Sequence, residues 1–465
     1  MENIKIVDMP MGRGKTQAAI RYLIDYGKCK KIIYVTPFLK EIERVKKEAA
    51  SEGIRLYEPN QKHGHGSKHA SLMKLIAQGE NIATTHALLE CLTANDCSEI
   101  LKQGYILILD ETIDVINAIT ISARDLKALI AQEDVLIEFN NKISLSKDYD
   151  GNLINFKEVM NSKDVFIVDD LKNCKKGKVA LIKTMLPEVW ISFNEVFILT
   201  YRFEYDLMRA YFDFYKIPYE YWEVKHGMFE YGRNIAPMEM PRIDIYDGHL
   251  NDIGKDCYAL SKSHFNKNRR CLCKMVKSML HGYLRNSEKA KSIEILWTCY
   301  KEHVNKLKGN GYTKGFLACN ARATNEYQNR TVVAYPINRF IDPKVKLFFQ
   351  QNNIVFDEEQ WALSELLQFL FRSALRKGKP IKLYIPSSRM RGLLNEYIVS
   401  CVPKKTSDSM RLFFYQGKSD KILQKAALYA ELPMIDLKDK EVSKYFRFSL
   451  AIAKKRTLGK RAQAK

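Results

Sequence analysis

Ile4-Lys5-Ile6-Val7-Asp8-Met9-Pro10-Met11-Gly12-Arg13-Gly14-Lys15-Thr16 is the stretch that decides the fold. Ile4 to Val7 reads as a short apolar strand, Met9 to Gly14 as a turn, and the chain from Thr16 as a helix. Ile20, Leu23 and Ile24 recur there at helical spacing, and Gly27 with Lys28 supplies a stop. Gly12 and Gly14 let the backbone fold tightly, so that its N–H groups can point at phosphate oxygens. The helix that follows adds the positive end of its dipole. Lys15 would reach the β and γ phosphates and the Thr16 hydroxyl would bind magnesium. Met9 stands where this pattern usually has its first glycine, so the strand before and the helix after carry the reading. Met11, Gly12, Arg13, Gly14, Lys15 and Thr16 are the expected nucleotide contacts.

A second stretch supports the first. Tyr105-Ile106-Leu107-Ile108-Leu109-Asp110-Glu111 is an uninterrupted apolar strand, as expected where both faces of a sheet are covered, with two acids just past its end. Ligands of open α/β sheets bind at that edge. Asp110 is expected to hold magnesium and Glu111 to orient or deprotonate the attacking water. Further strands at Lys31 to Val35, Asn81 to Thr84 and Val196 to Leu199 alternate with helices from Leu39 to Ala50 and Phe203 to Tyr215. This rhythm indicates a parallel sheet with helices on both faces. Polar turns between about residues 132 and 193, including Asp150-Gly151, read as an insertion.

The rhythm restarts after a basic segment. Ile293 to Trp297, Gly315 to Ala318, Thr331 to Tyr335 and Ile381 to Ile385 are strand candidates, and a long helix is expected from about Glu359 to Arg376. The expected organisation is a first lobe at residues 1–230, a basic linker at 231–290, a second lobe at 291–402 and a small helical basic region at 403–465.

The chain has 465 residues, 46% apolar and 11% aromatic, which describes a globular protein. Its 75 basic and 54 acidic residues leave a net charge of +21, which attracts a polyanion, most commonly nucleic acid. Lys262, Lys267, Arg269 and Arg270, continuing to Lys274, Lys277 and Arg285, form an acid-free segment with Phe265 and His281 interleaved, so base stacking is expected there. The ten cysteines form no paired knuckles, which suggests a reducing compartment. No apolar run approaches the ~20 residues of a membrane helix, and the first strand leaves no room for a signal peptide. The expectation is a cytoplasmic protein with no membrane partner. His63, His65 and His69 share a Gly-rich loop without a nearby acid or cysteine in sequence, a weak metal pattern.

These motifs resemble those of superfamily 2 DExD/H-box helicases, particularly the compact helicase-like proteins of phages and prophages. Met11 to Thr16 is similar to motif I, Asp110-Glu111-Thr112-Ile113 to motif II, Thr36-Pro37 to motif Ia, and Ala83-Thr84-Thr85-His86 to the strand-contacting motif after it. Thr200 is the one plausible equivalent in motif III. Leu296-Trp297-Thr298 resembles motif IV and Cys319 to Tyr327 motif V, with Arg322, Thr324 and Asn325 as nucleic-acid contacts. Gln368, Arg372 and Arg376 resemble motif VI, facing the nucleotide from one side of a helix; which arginine is the finger stays open.

The resemblance implies two RecA-like P-loop lobes with ATP and Mg2+ between them. It also implies nucleic-acid contacts at Thr36, Pro37, Thr84, Thr85 and His86. Ile113 stands where DEAD-box RNA helicases have Asp, and no upstream glutamine motif precedes Asp8, so single-stranded or forked DNA is the expected track, with RNA left open. Phage or mobile-element replication and recombination, with its proteins as partners, is the expected setting. The alternatives are a duplex translocase or packaging-type motor that never separates strands, and a non-enzymatic nucleic-acid-binding scaffold.

Overall fold

The described residues form three sheets, one parallel throughout, one parallel but for an edge hairpin and one antiparallel, and the strand that opens the sequence lies near the middle of the largest. The computed structural model describes residues 3–61, 67–146, 159–169, 171, 177–233, 240–320 and 326–401. Within them β1 is Ile4–Asp8, β2 Ile32–Thr36, β3 Ile82–Thr85 and β4 Ile106–Asp110. Next come β5 (Ile116–Ser122), β6 (Val135–Ile137), β7 (Lys142–Leu145), β8 (Lys163–Ile167) and β9 (Lys178–Met185). Then follow β10 (Glu195–Thr200), β11 (Glu220–Lys225) and β12 (Met228–Tyr231). The last four are β13 (Ile243–Ile245), β14 (Ile295–Trp297), β15 (Val332–Ala334) and β16 (Ile381–Tyr384).

The seven-stranded sheet has the order β12-β11-β1-β10-β4-β2-β3, parallel throughout except for the β11–β12 hairpin at its edge. Strand β4 is apolar at every position before Asp110 because its alternate residues enter different cores. Leu107 and Leu109 pack on one face with Ile4, Ile6 and Ile198; Ile106 and Ile108 pack on the other with Val7, Tyr34 and Leu199. The Lys15–Tyr26 and Leu39–Ser51 helices cover the second face through Ile20, Leu23, Ile42 and Val45. The Leu207–Tyr215 helix covers the first through Met208, Tyr211 and Phe212. It starts later than Phe203 because Phe203–Tyr205 is a 3-10 turn and the Asp206 carboxylate caps the helix, accepting from Met208 N at 2.8 Å. The α/β class expected from the sequence, with helices on both faces of a parallel sheet, is thus present.

Strands β5 to β9 form a separate antiparallel sheet, ordered β5-β9-β8-β7-β6, around Leu126, Val165 and Leu181. This sheet begins at Ile116, well before residue 132, since β5 pairs along its whole length with β9. The amphipathic Ala123–Ala131 helix between β5 and β6 masked that beginning in the sequence. The Asp150-Gly151 turn and residues 403–465 lie outside the described residues.

The third sheet is parallel, ordered β13-β16-β15-β14. Gly315 to Ala318 is not a strand of it. Gly315 ends a 3-10 turn, and Phe316 makes a single bridge to Trp297. The helix expected up to Arg376 ends at Leu370. Past it the Ser373 hydroxyl caps a 3-10 turn over Ala374–Lys377, and Ala374 N donates to Arg330 O at 2.9 Å, so a tertiary contact takes the backbone out of the helix.

Residues 1–235 and 241–394 form one compact unit holding all three sheets; the other unit comprises 236–240 and 395–465. Inside the first unit, the Pro343–Gln351 helix places Val345, Phe348 and Phe349 in the core of the seven-stranded sheet. Phe348 lies 5.2 Å from the Phe166 ring and 4.9 Å from Phe214. Among the described residues no helix is long and apolar enough to cross a membrane.

Candidate nucleotide site

The turn between β1 and the first helix has the geometry that its glycines imply. Gly12 and Gly14 take φ of 80° and 81°, left-handed values that strain any residue with a Cβ. Gly14 caps the Lys15–Tyr26 helix with no side-chain hydrogen bond and no acid in the first turn. The backbone N–H groups of that turn therefore remain for an anion. Met9, at the usual first-glycine position, turns inward instead. It is 4% exposed and its sulfur accepts from Val224 N at 3.0 Å. Met11 is half-buried and Arg13 exposed at the rim.

Asp110 ends β4 directly beside this turn. Thr16 Oγ1 donates to its two carboxylate oxygens at 3.3 and 3.4 Å, and Tyr34 OH donates to Oδ2 at 3.0 Å. His86 Nε2 lies 3.1 Å from the Asp110 carbonyl. Asp110 is 5% exposed. Burial and the neighbouring Glu111 push its carboxyl up to about 7, against the pull of Tyr34 and Lys15. Lys15 Nζ donates to the Met9 and Pro10 carbonyls, the latter at 3.1 Å. Burial holds its ammonium below the usual lysine range, while Glu111, Asp8 and Asp110 oppose that shift.

Glu111 has φ of 72°, an uncommon conformation for a non-glycine residue, and its N–H donates to Leu199 O at 3.0 Å. Strain of this kind concentrates at functional sites. Its carboxylate oxygen Oε1 accepts from Arg372 Nη2 at 3.2 Å, across the gap between the two parallel sheets. Arg372 is 2% exposed, and its Nε has no hydrogen-bond partner among the described residues. Arg376 is half-buried, and its carbonyl lies 3.8 Å from where a Cβ on Gly12 would stand. Burial and Arg372 lower its affinity for the proton, while Glu111, Glu41 and Asp110 raise it.

Of the three expected motif VI residues, Arg372 therefore reaches Glu111, and Arg376 brings its backbone carbonyl up to Gly12. They do so from the segment after the helix, not from its face. Gln368 stays on the Glu358–Leu370 helix, 6% exposed. The hydroxyl of Thr16 and carboxylate of Asp110 are hard oxygen donors that fit a magnesium ion, which takes one or two protein oxygens beside those of a phosphate.

Three residues of this neighbourhood escaped the sequence reading. Asp8 ends β1 and accepts from Arg202 N at 2.6 Å and Phe203 N at 3.1 Å. Burial raises its carboxyl, against those two bonds and Lys15. Tyr34 supports Asp110 from β2. Arg202, with φ of 61°, leaves β10 and donates through Nη2 to Gln360 Oε1 on the far helix. The β10 exit thus joins the two halves through Arg202, while the Thr200 hydroxyl is buried and has no partner among the described residues. An acid directly after an apolar strand was a usable signal for Asp8; Tyr34 offered none.

Over 417 residues, 86% of its length, the chain is 35% identical to the SPbeta prophage-derived protein YonV of Bacillus subtilis strain 168 and covers 99% of it. The chain belongs to the YonV family. Residues 239–398 match the YonV C-terminal Rossmann-like domain, which takes in β13 to β16 and the Arg372 to Arg376 turn. Similar solved structures include a DEAD box protein from the hyperthermophile Methanococcus jannaschii, at 12% identity and a TM-score of 0.27 over 86% of each chain. Another is the DUF1998 helicase MrfA bound to DNA, at 10% identity and a TM-score of 0.31; 86% of this chain covers half of that one.

The other expected contacts of the YonV-family chain divide among several places. Pro37, His86, Lys262 and Lys267 line one cavity of about 1490 Å3, together with Asn320 and Trp361. Thr36 and Thr84 are buried and do not line it, and Thr85 is half-buried. Arg269 and Arg270 do not line it; they are exposed on the next helix, Arg269–His281. Phe265 is fully buried against His303 and Tyr300, so it cannot stack on a base. His69 Nε2 lies 2.8 Å from Asp96 Oδ2, a local pair. His63, His65, Arg322, Thr324 and Asn325 lie outside the described residues.

Proposed function

We propose that this chain is a nucleic-acid-stimulated ATPase, with a helicase or translocase as its working form and single-stranded or forked DNA as its preferred track. The observation that carries the reading is the Arg372–Glu111 contact. It brings an arginine from the four-stranded sheet's half of the molecule to the acid beside the phosphate turn. Nucleotide held by Lys15 and the first helix would meet groups from both halves, so hydrolysis and the relative position of the halves become linked.

The residues divide the work. Backbone N–H groups of the Gly12 to Thr16 turn bind the phosphates, and Lys15 places its charge on the terminal ones. Thr16 and Asp110 hold the metal, which when bound neutralises charge on the phosphate oxygens. Glu111 takes the proton of the attacking water, or orients that water, once Arg372 has yielded or shifted its contact. Arg376 is the favoured finger and Arg372 its positioning partner. The cavity bounded by Pro37, His86, Lys262 and Lys267 runs past the same β4 exit, so a strand bound there would be linked to Asp110 through His86.

The test compares nucleotide affinity with DNA-stimulated turnover in Arg372→Ala and Arg376→Ala. Loss of an arginine finger costs about 10³ to 10⁵ in turnover. Nucleotide affinity should stay within a few fold of the parent while turnover collapses, more severely for Arg376→Ala. Parental turnover in both folded variants would leave a nucleic-acid-binding scaffold as the better reading.

A further inference from the structure

The acid-free basic segment that reads as one track in the sequence is folded into two separate surfaces. Lys262 and Lys267 belong to the short Lys262–Lys267 helix and line the large cavity between the two parallel sheets. Arg270, Lys274, Lys277 and His281 stand on the following helix at i, i+4, i+7 and i+11, all exposed. That helix turns Leu272, Cys273, Val276 and Leu280 into the core, so its cations share the opposite face. Arg270, Lys274 and Lys277 make no ion pair with any described residue. Salt bridges hold other nearby cations: Lys262 pairs with Glu302 and Lys382 with Glu288.

The stripe runs into a second groove of about 800 Å3, lined by Lys274, Lys277, His281, His249, Asn286 and Asn310. No acid lines it among the described residues. One wall is a π-helical turn, Gly282–Ser287, which continues the basic helix. Such turns are rare and often mark functional positions.

We infer that this face is a second nucleic-acid site, for the sugar-phosphate backbone of a duplex, separate from the single-strand cavity. Three features select a duplex. The stripe is mounted on a rigid helix and extends about 16 Å from Arg270 to His281, which matches the phosphates along roughly five base pairs of one strand. Among its exposed side chains only the His281 imidazole is aromatic, whereas single-strand surfaces use successive aromatic platforms for stacking. The groove is also lined by Leu250, Met279 and Tyr312, but Tyr312 is fully buried, so no aromatic face there is open to a splayed base, and its cations and amides suit a backbone-positioning contact. A forked substrate would then have its strand in the cavity and its arm on the helix. The inference rests on the proposed nucleic-acid-dependent reading, but not on ATP turnover.

Equilibrium binding of the full chain to a blunt DNA duplex and to a single strand of equal length, across a salt series without nucleotide, tests it. Arg270→Ala, Lys274→Ala and Lys277→Ala combined should reduce the duplex salt slope by about 0.9 per removed cation, about 2.7 in all. Single-strand affinity and slope should stay at the parental values. Lys262→Ala with Lys267→Ala should do the converse. All five residues are exposed, and thermal melting checks that both variants fold. A duplex slope unchanged in the triple variant, or equal losses for duplex and single strand, would overturn the second site. Absence of any binding by the parent would instead overturn the nucleic-acid reading itself.

Discussion

Asp110 is held under two opposed demands. As the proposed metal ligand it would have to be ionised, yet burial and Glu111 push this carboxyl from its ordinary 3.8 up to about 7. Such a group lowers stability as pH rises. Below 3.8 it is protonated folded or unfolded; between 3.8 and about 7 only the unfolded chain ionises it freely; above that the penalty is complete. Asp110→Asn removes the penalty. Its melting temperature should therefore gain on the parent's as pH rises through that window and then level off, while magnesium-dependent turnover is lost. A constant difference across the window would show that burial does not set this carboxyl. Lys15→Ala should weaken ATP binding and abolish turnover, because the terminal phosphates lose their cation. Glu111→Gln should bind ATP and stall, since Thr16 and Asp110 still hold the metal. Direct nucleotide binding alongside turnover separates the two. Lys15, Thr16, Asp110 and Glu111 could be read from the sequence because each is tied to a local pattern of strand, turn and helix. Asp8 and Tyr34 could not be read so easily: their roles depend on which strands lie side by side.

The Pro343–Gln351 helix packs into the core of the seven-stranded sheet. Its Phe348, 2% exposed, packs between Phe166 of β8 and Phe214 of the Leu207–Tyr215 helix. Gln351 adds a bond to Val168 O at 3.2 Å and Arg209 one to Val355 O at 2.8 Å. Any change in the relative position of the halves would have to turn about this packed contact or break it. Phe348→Ala should cost about 3–5 kcal/mol, as a buried aromatic lost from a packed core does. Chemical denaturation checks it; a loss below 1 kcal/mol would mean that the contact does not hold the halves. Sequence periodicity located β1 to β4, β10 and β14 to β16, but it passed over β11 to β13 and the Pro343–Gln351 helix and misplaced the motif VI segment. The apolar pattern of the Glu358–Leu370 helix runs on through Phe371, Ala374 and Leu375, all buried, although the backbone has left the helix. Pattern reports burial; the Ala374 bond to Arg330 O, remote in sequence, decides the conformation.

At the scale of the whole molecule, the described residues bring together a candidate nucleotide site with residues from two parallel sheets, an antiparallel sheet packed against the Pro343–Gln351 helix, and two separate basic surfaces. Net charge of +21 announced a polyanion partner without locating it. Only the fold separates Lys262 and Lys267 from Arg270, Lys274 and Lys277. The central claim is that nucleotide hydrolysis answers to nucleic acid. Its most direct test is steady-state ATP turnover of the full chain with magnesium, alone and with single-stranded DNA, blunt duplex, forked DNA or RNA, with Lys15→Ala as the blank. The account predicts slow turnover alone and a saturable rise with single-stranded or forked DNA that the blank does not show. Turnover that no nucleic acid changes, or no turnover above the blank in any arm, would contradict it.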